Sequence, residues 1–132
     1  LSGYTMNIQA SGTPALVSGA NNFPNYIPGG ANPDFTFTTP GASSRFGFSP
    51  EGADITQRYK DNGTTCNVGA LDTGSACWVP LQATADTIVT RTTPNHPAGT
   101  VTTVRFRAES GASNVQPIGS YQATTTLTVF AL

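Results

Sequence analysis

At 132 residues the chain has the length of one domain and can bury a core without metals or a dense disulfide framework, so a single domain over residues 1–132 is expected. Charged residues make up only 10% of it and the formal net charge is −1, which excludes a basic stripe for nucleic acid and a polybasic run for anionic lipid. No apolar stretch approaches the roughly 20 residues a membrane-spanning helix needs, so no direct membrane span is expected. Polarity is carried by Thr, Ser, Asn, Gln and Gly, a composition that goes with secreted and cell-surface β proteins. The chain starts at Leu1 instead of Met, from which a removed leader or a longer parent chain is expected.

Helical periodicity is nearly absent, and alternation of apolar with polar residues between Gly and Pro turns recurs throughout. Tyr4, Met6, Ile8 and Ala10 alternate with Thr5, Asn7 and Gln9, which predicts a strand with one buried face. Residues 19–33, rich in Asn, Pro and Gly, read as a long loop. Phe35 and Phe37, then Phe46 and Phe48, predict two strands paired across Pro40-Gly41, with the four rings on one core face. A weaker alternation through Ala53, Ile55, Gln57 and Tyr59 ends at the Asn62-Gly63 turn. Ile88 to Arg91 predicts another strand, closed by Pro94 and Pro97. Val104, Phe106 and Ala108 alternate with Arg105 and Arg107, which should face solvent, and the phase change at Val101 predicts a bulge near Thr102-Thr103. The most regular segment is the last, with Tyr121, Ala123, Thr125, Leu127, Val129 and Ala131 on one face, and Phe130 and Leu132 making both faces apolar at its end. The expected fold is all-β, an antiparallel immunoglobulin-like or jelly-roll-like sandwich of seven to eight strands.

Cys66 and Cys77, an even and closely spaced pair, predict one local disulfide in an exported chain; two separate thiols are the alternative. Two Cys and one His supply too few ligands for a metal site, and no cofactor is expected. The segment Leu71-Asp72-Thr73-Gly74-Ser75 with Trp78-Val79-Pro80 resembles the active-site signature of pepsin-like aspartic proteases. That resemblance implies a second carboxylate sharing a proton with Asp72, which a single copy of the motif could supply only in a homodimer. The second Asp-Thr-Gly of that family is absent, and the simpler expectation is a turn in which Asp72 bonds the local backbone and Gly74 takes a positive φ. His96, boxed between prolines, reads as a loop residue. Asn62-Gly63-Thr64 is the only N-glycosylation sequon, which makes Asn62 a candidate acceptor on a surface turn. Tyr26 and Trp78, with Phe23, are candidates for stacking on sugar rings, the alternative being that they plug the sandwich. No catalytic residue emerges, and the chain is not expected to be an enzyme.

The opening Ser2-Gly3-Tyr4-Thr5-Met6-Asn7-Ile8 and the closing segment 119–129 resemble β-sandwich domains of bacterial surface proteins, including WxL-type wall-associated domains. The closing segment is also similar to the last strand of fimbrial and spore-coat-U-type subunits. The resemblance implies extracellular, cell-surface placement and a structural or adhesive role. The expected function is that of a structural subunit of an extracellular filament, pilus or surface layer, joined to other copies of itself by edge-strand or donated-strand pairing. The candidate assembly residues are Tyr4, Met6 and Ile8 at one end and Tyr121, Leu127, Val129, Phe130 and Leu132 at the other. A carbohydrate-binding or adhesive module contacting a surface glycan through Tyr26 and Trp78 is the second reading, and the homodimeric protease a remote third.

Overall fold

A computed structural model describes residues 2–30 and 33–132. It is an all-β antiparallel sandwich with seven strands among the described residues: β1 (Tyr4–Ala10), β2 (Leu16–Ser18), β3 (Asn21–Phe23), β4 (Ser44–Glu51), β5 (Asp86–Arg91), β6 (Thr103–Ser110) and β7 (Thr125–Ala131). One sheet runs in the order β5-β1-β7, and β4 pairs with β6 in the facing sheet. The alternation of β1 decides which face is inside. Ile8 and Ala10 are buried, and with Ile88 and Val89 of β5 they pack onto Phe46 and Phe48 of β4 to form the main core.

The structure differs from the sequence expectation in five respects. The four Phe do not share a face: Phe46 and Phe48 lie in the main core, Phe35 packs at its margin, and Phe37 joins Tyr26 and Trp78 in a second cluster. Residues 35–38 form no strand, because the backbone of Asp34 exchanges hydrogen bonds with Trp78 instead of β4. Segment 53–59 contributes a single bridge, Ile55 with Val89, and a 3₁₀ turn over Gln57–Tyr59, yet Ile55 and Tyr59 are buried as the alternation required. The ladder between β4 and β6 is regular from Thr103 onward, and the irregularity falls in the β1–β5 ladder, where Ile88 of β5 is the extra residue between the Met6–Val89 and Asn7–Thr87 pairs. Inside the expected 19–33 loop, β3 turns back on β2 through Gly19, whose φ of 58° lies in the left-handed region.

Strand β4 is buried on both faces. Its outer face carries Gly47, and a Cβ there would stand 2.7 Å from the Val79 carbonyl oxygen and 2.9 Å from Tyr26 Cβ. Glycine is what lets the Tyr26–Phe37–Trp78 cluster lie directly on the sheet; the Tyr26 and Phe37 rings stack at 4.4 Å.

One side of the sandwich is closed by crossing chain. Phe48 and Val79 exchange backbone hydrogen bonds of 2.9 and 3.0 Å, Leu81 is buried, the Ala10 N–H donates to the Gln82 carbonyl at 2.7 Å, and β5 begins at Asp86. The outer edge of β5 is covered by Asp54 and Thr56, which bond to Thr90 and Ile88. The bottom is closed by the β2–β3 hairpin, which joins Gln122 through Val17 and leads into Pro24 and Tyr26, bonded to Phe46. These connections place β6 and β7 as outer strands on the remaining side.

Beside the closed side, residues 61–77 form a loop tied by the Cys66–Cys77 disulfide, with the two Cα atoms 5.7 Å apart. Its hub is the fully buried Asp61. The carboxylate accepts the Thr73 N–H at 2.9 Å, the Thr73 hydroxyl at 2.8 Å and the Gly63 N–H at 2.7 Å. Burial opposes the charge, but these hydrogen bonds outweigh it and hold the Asp61 pKa below the ordinary aspartate value. The loop also fixes three non-glycine residues, Asn67, Ser75 and Cys77, at positive φ. Such conformations persist where surrounding bonds over-determine the backbone.

Candidate functional site

The side left open is defined by the hydrogen-bond parity of two ladders. Leu132 N–H donates to Gly3 O and Ser11 N–H to Thr124 O, which are registers of the β1–β7 pairing. Antiparallel alternation then turns the N–H and C=O of residues 126, 128 and 130 toward β1 and those of Thr125, Leu127, Val129 and Ala131 outward. In β4 the backbone groups of Phe46 and Phe48 are used on the side away from β6. By the same alternation, residues 103, 105, 107 and 109 bond β4, and Val104, Phe106, Ala108 and Ser110 present their backbone groups outward. Among the described residues, nothing bonds either row.

The side chains on these two rows belong to the core face and are uncovered. Leu127 is opposite Ile8, which is 1% exposed, yet Leu127 is 51% exposed and Val129 is 57% exposed. Phe106 is opposite Phe48, which is 0% exposed, and is itself 48% exposed although its ring stacks on Phe46. The result is an apolar cleft between two unpaired strand edges, with Val104 and Ala108 completing the β6 wall. Phe130 and Leu132 are also half exposed, Phe130 on the outer face opposite Thr5.

The two edges differ in charge. Strand β7 has none, and also lacks Pro and Gly. Strand β6 carries Arg105, ion-paired to Glu51, and Arg107, whose guanidinium bonds Glu109 at 2.6 Å and stands 5.0 Å from the Phe37 ring centre and 6.0 Å from that of Trp78. These Arg face outward as expected, but are held along the sheet. Burial disfavours the Glu51 charge, and the Arg105 hydrogen bond, the Ser75 N–H and the Arg105 charge overcome it, so its pKa falls. The Arg107 hydrogen bond lowers that of Glu109.

The other candidate residues lie elsewhere. Strand β1 is central, paired on both edges, so Tyr4, Met6 and Ile8 supply core and no free edge. Tyr121 precedes β7; its hydroxyl bonds Pro117 O and Gln116, and its ring meets Phe23 edge-on. Tyr26 and Trp78 are buried, which corrects the sugar-stacking reading: the Tyr26 face is covered by Phe37, and the Trp78 N–H is spent on Ser75 O. Asn62 is exposed on its turn, where its side-chain oxygen accepts the N–H groups of Thr64 and Thr65 and the Thr64 hydroxyl.

The Asp72-Thr73-Gly74 turn is built differently from the expectation. Asp72 accepts the distant Gly52 N–H at 2.8 Å, Asp61 serves the local Thr73 backbone, and Ser75, not Gly74, takes positive φ at 57°. Glu51 accepts the Ser75 N–H beside this turn at 2.7 Å. His96 is an exposed loop residue. No group of three or more His, Cys, Asp or Glu able to hold a metal ion occurs among the described residues, and no described helix is long and apolar enough to cross a membrane.

The β6 wall was missed in the sequence, where Val104, Phe106 and Ala108 read as ordinary core. Periodicity reports which way a side chain points, and the cleft arises from the order of strands. No family model, curated protein or solved structure matches the chain.

Proposed function

We propose that the chain is a structural subunit of an extracellular, cell-surface assembly, a filament, pilus or surface layer, whose copies join by strand pairing at the β6–β7 side. The observation that carries this reading is the pairing of exposed core side chains, Phe106, Leu127 and Val129, with two rows of unbonded backbone groups. Long, flat, uncharged edges are ordinarily avoided because they recruit other chains, so an edge such as β7 is best understood as a surface that is meant to be covered. The Cys66–Cys77 disulfide supports an oxidising compartment. The same reading places the chain with the wall-associated, fimbrial and spore-coat-U-type domains that its terminal segments resemble.

Electron microscopy and light scattering of the purified protein test it. Assemblies are expected from the wild type and monomers from Val129→Lys, which puts a charge into the cleft at an exposed edge position. A wild-type chain that stays a monodisperse monomer at high concentration refutes the reading.

A further inference from the structure

We propose that the β6–β7 side is closed by the same side of a second copy, about a two-fold axis normal to the sheets, with β7 pairing antiparallel to its own counterpart. This rests on the reading of that side as a copy-to-copy surface and specifies its geometry. Both unpaired edges lie on one side of the sandwich, so a copy presenting the same side meets both together. Each described strand already has a partner within its own sheet.

The edges are self-complementary. In a ladder centred on Thr128, Leu127 faces Val129 of the second copy and Thr125 faces Ala131, so every outward backbone group of β7 finds a partner. A centre displaced by one residue leaves an end of the strand unpaired. Inward, this register joins the exposed Leu127 and Val129 side chains across the axis; outward, it sets Phe130 against Thr126. For β6, the register that uses all four outward residues is centred on Arg107 and places Phe106 opposite Ala108 of the second copy. It also places Arg105 opposite Glu109, twice, so charge complementarity selects the same register as hydrogen bonding. Arg107 then meets its own copy, with each guanidinium already held by its Glu109 and by the Phe37 and Trp78 rings. A two-fold contact closes on itself, so the dimer is the unit from which any larger assembly grows, through other surfaces.

Cysteine cross-linking tests the axis. Directly opposite residues lie about 4.5–5.5 Å apart at Cα, within disulfide reach, whereas Thr126 of the two copies would be separated by roughly 13 Å or more. Thr128 and Thr126 are both exposed on the outer face, so Cys at either position leaves the core intact. Mild oxidation should convert most of Thr128→Cys to a reducible covalent dimer of twice 13.6 kDa and leave Thr126→Cys uncoupled, with circular dichroism checking the fold of both. Equal coupling at both positions overturns the register. Polymers in which Thr128→Cys does not couple overturn the two-fold contact and leave the subunit reading standing. A wild-type monomer at every concentration overturns both.

Discussion

The closed and open sides of this sandwich are made of the same kinds of residue, and they end differently. Phe48 and Phe106 face each other in one ladder, with the first fully buried and the second half exposed. Ile8 and Leu127 repeat the contrast in the other sheet. On the closed side, Val79 bonds β4, the chain crosses through Leu81 to β5, and Asp61 and the disulfide lock the neighbouring loop. On the open side no comparable crossing occurs among the described residues, although β6 and β7 are consecutive strands. Burial here follows place in the strand order and not side-chain type. The molecule's stability is concentrated on one side, and its capacity to bind strands on the other.

Substitutions can break this comparison. The largest loss is expected for Phe48→Ala, about 3–5 kcal/mol in urea unfolding, because a fully packed ring leaves a cavity. If the loss is under about 1 kcal/mol, the core is not where the structure puts it. Asp61→Ala should cost about 3 kcal/mol by removing the buried carboxylate that accepts the Gly63 and Thr73 N–H groups and the Thr73 hydroxyl. Replacing both Cys66 and Cys77 by Ala should cost about 2–4 kcal/mol, the usual range for a short closed loop, and reductant should reproduce this in the wild type. Phe106→Ala, the open-side counterpart of Phe48→Ala, should cost only about 1–2 kcal/mol in the dissociated chain, since half of the ring is already in water. A value equal to that of Phe48→Ala would remove the distinction between the two sides.

Titration sharpens the same contrast with smaller effects. Asp61, Glu51 and Asp54 have pKa values lowered by folding, in each case against the opposing effect of burial, through the Thr73 and Gly63 bonds, Arg105 and Arg91 respectively. Their contribution is complete above the unfolded values near 4 and is lost as pH falls through the lower folded values. Asp61→Asn should therefore flatten the acid limb of the stability curve measured below about pH 4. Tyr59 runs the other way: burial, then the Asp86 charge and hydrogen bond, raise its pKa, so its contribution is complete below about pH 10 and is lost on further alkalinisation.

Much of the fold was legible. Strand β1 and the burial of Ile55 and Tyr59 follow from alternation, the strand through Arg91 was marked by Ile88 and Val89, and Cys66 with Cys77 follows from count and spacing. Alternation failed where a competing backbone partner intervened, as when Asp34 bonded Trp78 and drew Phe37 into the outer cluster. It failed again at the Asp72 turn, because the residue that organises the loop, Asp61, is eleven positions away and reads as an ordinary polar turn residue. The β7 half of the open side was visible as an uncharged alternating segment. The β6 half was not, since two Arg on its outer face make it look like a strand adapted to solvent, and its inner face is exposed only by topology.

The pairing of β1 with both β5 and β7 also governs the order of folding. The central strand of the sheet lies near the start of the described chain, and its partners come some eighty and one hundred and twenty residues later. Such distant closures are slow, on the order of milliseconds to seconds for comparable β topologies. Until they form, Leu127 to Phe130 is an unpaired apolar ribbon competing for strands of other molecules, so dilution during refolding should raise the native yield more than added salt does.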